Sequence, residues 1–387
     1  VTVTGTPPSG EFNLDSAEVQ TYLQSMTLRA SVVDSDNPVP LSGPAYNFSY
    51  DMGDGTTYYT QNVTHTYSKG GTYKVTMTVT DLDNYTDTYT MEYFTPDILV
   101  QDGITNNRSI NHWSSLYNGL RTSSGGDIIY IANGSYNGGQ TLSSNLTLVG
   151  ECRENVTINT ASTVFTINSN NVRMSNMTLT GGTTGIAINN QSNITLSNLY
   201  VRNMTYGVSI INNSNNITVD WSSFENNTYG VYAADSSNLT VGEYTEEVHE
   251  TFNNTFFIEN TRAIYLDDMT DVGIFNIDVD ASIPYTSLPP PTYGIDMDDS
   301  QNVVIHSAHI FDAHTSAINV DESDFVEIIC CHLEENPYGV YCTAAEDCLI
   351  GACLLNDNDN YGVAFSDVLC MDNEVICNDF INNTAYD

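Results

Sequence analysis

Tyr206–Val219 reads YGVSIINNSNNITV, and Tyr229–Val241 reads YGVYAADSSNLTV. The two stretches share a phrase: Tyr-Gly-Val, a further apolar residue, a polar turn, then apolar-Thr-apolar. Outward from this pair, the phrase recurs at Thr184-Gly185, Tyr293-Gly294, Tyr338-Gly339 and Tyr361-Gly362. Weaker copies stand at Arg262-Ala263 and Ser316-Ala317. The steps 184 to 206 to 229 are 22 and 23 residues, and the steps 293 to 316 to 338 to 361 are 23, 22 and 23. The steps 229 to 262 and 262 to 293 are 33 and 31, so two repeats carry insertions. A fixed period of this size is one structural unit stacked many times.

Two and four residues after each anchor the chain is apolar: Ile186/Ile188, Val208/Ile210, Val231/Ala233, Ile264/Leu266, Ile295/Met297, Ile318/Val320, Val340/Cys342 and Val363/Phe365. The residues between are mixed, so each copy is a short strand of period two. A second strand follows at Ile194-Thr195-Leu196, Ile217-Thr218-Val219, Leu239-Thr240-Val241 and Val303-Val304-Ile305, and a third apolar position at Leu199/Val201 and Ile310. Asn, Ser, Asp and Gly fill the corners, as turns require. Three strands in about 22 residues leave no room for a helix pair. The fold expected is all-β: a solenoid of about ten coils, with strands stacked roughly 4.8 Å apart.

These repeats resemble the right-handed parallel β-helix of the pectin-lyase-like superfamily, most of all its NosD-type repeat proteins. The resemblance covers 96–387. Its start also fits: an amphipathic stretch at about 109–120 (Ser109–Leu120, SINHWSSLYNGL) precedes Gly126-Asp127-Ile128-Ile129-Tyr130-Ile131 and Asn133-Gly134-Ser135-Tyr136. The resemblance implies a capping helix there, and such a helix would cover a strand edge that otherwise invites pairing.

Residues 1–95 lack the repeat. They contain Tyr50-Asp51-Met52-Gly53-Asp54-Gly55, then His65-Thr66-Tyr67, then an alternating run from Gly71 to Asp81. The set resembles the PKD domain, an immunoglobulin-like β-sandwich, with Met52 where that family has Phe. Such modules are spacers or adhesion elements of surface proteins. Asp34/Asp36 and Asp51/Asp54 are weaker metal candidates, and Asp51 and Asp54 are expected rather to hold turn backbone.

No stretch of 18 apolar residues and no signal peptide is visible in the 387 residues, and the chain is expected to begin after cleavage. Seventeen Asn-x-Ser/Thr sequons mark Asn47, Asn62, Asn84, Asn107, Asn133, Asn145, Asn155, Asn176, Asn190, Asn193, Asn203, Asn212, Asn216, Asn226, Asn238, Asn253 and Asn382. Their density points to a secreted protein carrying N-linked glycans. Asn193, Asn216 and Asn238 stand where an Asn ladder could point inward, which would bar a glycan. Seven of eight cysteines fall in the last coils: Cys330, Cys331, Cys342, Cys348, Cys353, Cys370 and Cys377. An extracellular setting and an even count favour disulfides between coils, while a buried free thiol is the competing reading.

The charge balance is 9 Lys+Arg against 48 Asp+Glu, a net charge of −39, which disfavours nucleic acid and anionic membranes. From Glu243 onward there are 29 acidic residues and one basic residue, Arg262. Asp267-Asp268, Asp298-Asp299 and Asp321-Glu322 hold the same two places after the anchor in three consecutive coils. Stacked carboxylates with hard oxygen donors suit calcium; an acidic solvated turn is the competing reading.

The superfamily includes polysaccharide lyases and glycosidases. A lyase of that class would need a basic residue beside calcium-binding acids, and only Arg153, Arg173, Arg202 and Arg262 are available among the repeats. No Gly-His-Gly, Arg-x-Lys or nucleophile-elbow element occurs, so an enzyme is not expected. His306, His309, His314 and His332 are expected at ordinary strand and turn sites. The anchors Tyr206, Tyr229, Tyr293, Tyr338, Tyr361 and Tyr386 could form a sugar-stacking row or simple ladder packing. The last residues repeat the approach to an anchor, which suggests a coil left open and head-to-tail self-association. The function expected is that of an extracellular structural or adhesive glycoprotein in a filament, sheath or surface layer, resembling archaeal-type surface proteins. A secreted carbohydrate-active enzyme or a polysaccharide-binding module is the alternative.

Overall fold

The computed structural model describes residues 8–14, 26–33, 46–67, 71–95, 98–101, 111–113, 115–243, 254–282, 292–366 and 368–384. The chain divides into two compact units, Val1–Leu99 with Ile110–Gly119, and Val100–Ser109 with Leu120–Asp387.

The first unit is a sandwich of two antiparallel sheets. One joins Ser9–Leu14, Met26–Val33 and Asn62–His65; the other joins Thr57–Tyr58, Asn47–Asp51, Gly71–Thr80 and Thr86–Thr95. The alternation in Gly71–Thr80 buries Val75, Met77 and Val79, while Leu28, Tyr50, Met52 and Val63 are also buried. The acidic turn holds backbone as expected. The Gly53 N–H donates to Asp51 Oδ1 and the Thr56 N–H to Asp54 Oδ1, each at 2.9 Å.

In the second unit the strands are parallel and lie on three faces. Ten strands stack on the first face, from Gln140–Leu142 to Tyr361–Phe365. The anchors pair in unbroken register: Thr184 with Tyr206, Tyr206 with Tyr229, Tyr229 with Arg262, Arg262 with Tyr293, Tyr293 with Ser316, Ser316 with Tyr338 and Tyr338 with Tyr361. The weak copies at 262 and 316 are therefore full members of the stack. The second face runs through Ile217–Val219 and Gln301–His306, and the third through Ser223–Glu225, Ile277–Asp280, His309–Phe311, His332–Glu334 and Leu354–Asn356. Residues on the inner side of each strand form a core of stacked Ile, Val, Leu and Phe, such as Phe224 on Phe257 at 5.0 Å.

The anchor glycine lets successive coils approach closely, although Ala263 and Ala317 carry a methyl in that column. A Cβ on Gly207 would sit 2.4 Å from the Gly230 carbonyl oxygen and 2.8 Å from the Phe224 ring. Inner corners are closed by polar ladders. The Asn336 amide donates to the carbonyls of Glu334 (2.7 Å) and Ile310 (3.2 Å), and its Oδ1 accepts from the Ala313 N–H (3.0 Å). Asn227, Asn260 and Asn358 do the same in other coils. Each corner buries backbone groups that would otherwise go unpaired.

One expected element differs. The helix is Leu116–Thr122, not 109–120, and Asn111–Trp113 are extended. Ser115 Oγ accepts from the Asn118 N–H at 3.3 Å, so the chain enters the helix only at Ser115.

Candidate functional site

Three groups of outward-facing side chains stand out on the solenoid. The first lies on the anchor strands. Tyr206 stacks on Tyr229 at 5.2 Å with 8° between ring planes, and Tyr232 stacks on Tyr265 at 5.4 Å. Arg262 interrupts the tyrosine row yet extends it: its guanidinium lies 5.6, 5.4 and 5.1 Å from the ring centres of Tyr229, Tyr265 and Tyr293. Its charge is met by Asp296, a buried carboxylate that also accepts from the Asn319 amide at 2.9 Å. Ser316 breaks the row, which resumes at Tyr338 and Tyr361. Tyr386 lies outside the described residues.

The acidic pairs stand on the same strands. Asp267 pairs in register with Asp298, and Asp298 with Asp321. The second member of each pair, Asp268, Asp299 or Glu322, has φ of 48°, 46° or 43° and turns the corner. Partial burial, then the neighbouring charges led by Asp298, hold the carboxyls of Asp267 and Asp321 above the usual range. The column is thus a line of carboxylates whose repulsion is felt. No three of the six gather oxygens within 4.8 Å of one another: among the described residues the one such group is His309, His332 and Glu334.

That third group sits on the third face, where the sequence had suggested ordinary strand positions. Asp278, His309 and His332 share one column on successive coils. Asp278 Oδ1 lies 3.0 Å from His309 Nδ1, and Glu334 Oε1 lies 3.0 Å from His309 Nε2. Glu334 Oε2 lies 3.2 Å from His332 Nε2. The signal was present in the spacing: 278 to 309 to 332 repeats the 31- and 23-residue steps of the anchors.

Fifteen of the sequon asparagines are described. Thirteen are exposed, including Asn193, Asn216 and Asn238, so that ladder points outward rather than inward. Its amides are nonetheless used: Asn193 donates to Asn171 at 3.0 Å and Asn216 to Asn193 at 2.7 Å. Asn107 and Asn253, like Asp34 and Asp36, lie outside the described residues. All eight cysteines are free thiols. Cys331 and Cys353 stack in the Leu199 column, and there they act as corner residues: Cys353 Sγ accepts from the Cys331 N–H at 3.4 Å and donates to the Gly351 carbonyl at 3.3 Å. Burial pushes the Cys348 thiol up to about 11, and Cys342 is pushed up in the same way. Cys330 and Cys377 are exposed, and Cys370 is half-buried. Arg173 and Arg202 stand on different faces.

Residues 17–94 match the PKD domain, and residues 151–279 match the right-handed beta-helix region. The chain joins a PKD domain to a right-handed β-helix. Residues 287–386 of the β-helix match the family described as periplasmic copper-binding protein (NosD), a span that holds His309, His332 and Glu334 but not Asp278. The chain is similar in fold to ORF18 of Geobacillus virus E2, with a TM-score of 0.52 and 17% identity over 69% of this chain. It spans 56% of that protein's length. The PKD1 domain of the Vibrio cholerae metalloprotease PrtV is 28% identical, covering 23% of this chain and 98% of its own, with a TM-score of 0.20. PfbA, a surface adhesin of Streptococcus pneumoniae, is 13% identical over 74% of this chain and 90% of its own, with a TM-score of 0.46. A search of curated proteins finds no match. No helix among the described residues is long and apolar enough to cross a membrane.

Proposed function

We propose that this chain is an extracellular structural or adhesive glycoprotein that self-associates into a filament, sheath or surface layer, and that it is not an enzyme. A PKD domain joined to a right-handed β-helix fits an extracellular surface or adhesin-like protein. The observation that carries the reading is the placement of the sequons: thirteen exposed asparagines on the outer turns and strands of both units can accept glycans without disturbing a core. In that setting, hard cations such as calcium would screen the column of Asp267, Asp298 and Asp321. Electron microscopy of native material tests the assembly, and dispersed particles with no fibre or lattice would overturn it. Mass spectrometry of native peptides tests the glycans. Turnover of an acidic polysaccharide by the purified chain would overturn the non-catalytic part. If calcium raises the melting temperature no more than sodium chloride at equal ionic strength, the cation is only a screening ion.

A second reading is favoured by the anchor face. Stacked Tyr206, Tyr229, Tyr232 and Tyr265 offer a row of ring edges and hydroxyls beside the Asp296-paired guanidinium of Arg262, a surface along which a polysaccharide can pack. Retention on immobilised polysaccharides should fall about tenfold in the Tyr229→Ala, Tyr232→Ala double variant, which removes two stacking partners. Equal retention of variant and parent would remove this reading.

A further inference from the structure

The cluster on the third face takes no part in the surface role above, and its geometry asks for something more. A neutral imidazole has one N–H and one lone pair. Asp278 faces His309 Nδ1 at 3.0 Å and, being a carboxylate, can only accept there. The N–H of neutral His309 is therefore on Nδ1, and the lone pair on Nε2 faces Glu334 Oε1, another acceptor, at 3.0 Å. The second oxygen of Glu334 lies 3.2 Å from His332 Nε2, an atom shielded from solvent and without a hydrogen bond. Two nitrogens and a carboxylate thus converge with their donor atoms all within 4.8 Å. Something electropositive belongs between them.

We propose that His309, His332 and Glu334 bind a divalent transition-metal ion of the zinc and copper class, with Asp278 as the positioning residue behind His309. Ligands about 2.0–2.2 Å from a tetrahedral ion stand about 3.4 Å apart; the two oxygens of Glu334 lie 3.0 and 3.2 Å from the imidazole nitrogens, one oxygen to each, and the three donor atoms lie within 4.8 Å of one another. Two imidazoles with one carboxylate suit zinc and copper and are poor ligands for calcium, which separates this site from the acidic column. Asp278 on the far nitrogen of a ligating histidine is the usual supporting arrangement, and the Asn254 amide holds it in turn at 2.8 Å. The Asn356 amide reaches Glu334 Oε2 at 3.5 Å. All three ligands stand on stacked strands, so their positions are fixed by the ladder before any ion arrives. His309 and His332 are each about a third exposed as side chains, while His332 Nε2 itself is shielded from solvent.

Without an ion, a proton on His309 Nε2 satisfies the same carboxylate. Metal and proton compete for that lone pair, and uptake by the protonated form releases one proton to solvent. The test is titration of the tag-free full chain with Zn²⁺ and with Cu²⁺ by calorimetry, in two buffers of different protonation enthalpy, with electron paramagnetic resonance of the copper form. One ion per chain, proton release and hyperfine coupling to two imidazole nitrogens are expected. His332→Asn and Glu334→Gln should each weaken binding at least about tenfold, and Asp278→Asn about 10–100-fold with both nitrogens still coupled. His314→Gln, outside the cluster, should bind as the parent does. Absence of saturable binding, or a copper spectrum with fewer than two nitrogens, would overturn the proposal without recourse to variants. So would unchanged affinity in a folded His332→Asn chain.

Discussion

Asp298 has a carboxylate in register on either side, Asp267 and Asp321. Like charges directly opposite one another in a sheet destabilise it. Asp298→Asn removes two such pairs and places an amide where it can donate to both neighbours, as Asn216 donates to Asn193 elsewhere in the solenoid. The variant should therefore be the more stable protein in urea unfolding at pH 7; equal or lower stability would show that the column is already neutralised. Burial, then Asp298, raises the carboxyl pKa of Asp267 and Asp321 in the folded chain. A raised carboxyl pKa means the folded state holds its proton longer than the unfolded state. The penalty from these two groups is present at neutral pH and is relieved as pH falls through their raised values. Melting temperature should thus climb on mild acidification from pH 7, and the climb should be smaller in Asp298→Asn. Asn336 shows the opposite kind of residue. It is fully buried, and its amide closes two carbonyls and one N–H. Each buried group left unpaired costs about 1–3 kcal/mol, so Asn336→Ala should lose at least about 2 kcal/mol. Asn215→Ala, which breaks only an exposed bond to Ser237 Oγ, should stay within about 0.5 kcal/mol.

At the scale of the strand and its turn, the anchor glycine sets how closely coils can stack. Gly207→Ala would push a Cβ to 2.4 Å from the Gly230 carbonyl oxygen, and a cost of about 1–3 kcal/mol is expected from denaturant curves. Ala263 and Ala317 occupy the same column, so the fold absorbs a methyl at some coils, and a cost near zero at Gly207 would show that every coil can. This column also explains why the elements were legible. In an in-register parallel stack each position meets the same surroundings in every coil, so the same residue types recur and the sequence records the register directly. Ser316 was placed by its 23- and 22-residue spacing, and Arg262, between steps of 33 and 31, by the Ile264/Leu266 pair that follows it. The helix was less legible because its start depends on Ser115 acting as a cap, and the amphipathic pattern runs on through Asn111–Trp113, which are extended. The acidic pairs could be aligned from sequence, but not their unequal exposure: Asp268, Asp299 and Glu322, at φ of 48°, 46° and 43°, stand exposed at the corner, while Asp267, Asp298 and Asp321 are half-buried on the strand. The histidine cluster escaped because the third strand is only three residues long in these coils, too short for its periodicity to stand out, although its spacing matched that of the anchors.

Across the whole chain, charge is laid down unevenly. Thr184–Val241 holds three acidic residues, Asp220, Glu225 and Asp235, with Arg202 as partial compensation, whereas Tyr293–Phe365 holds 14 acidic residues and no Lys or Arg. A solenoid has little means of sharing this load, because each coil touches only its neighbours and its local stability is a sum of nearby terms. Self-repulsion must then act most strongly on the later coils and fall off toward the earlier ones. Its range is set by salt: the screening length is about 30 Å at 0.01 M and about 3 Å at 1 M, shorter than the roughly 4.8 Å between stacked strands. Hydrogen exchange at low salt should therefore find the backbone amides of Tyr293–Phe365 opening faster than those of Thr184–Val241, although both stretches have the same ladder of hydrogen bonds. Adding salt to about 1 M should bring the two together by slowing the acidic coils and leaving the others almost unchanged. If the two stretches exchange alike at low salt, the carboxylates are neutralised by bound cations or by their own protons. The slope of melting temperature against calcium and against pH then separates those two cases.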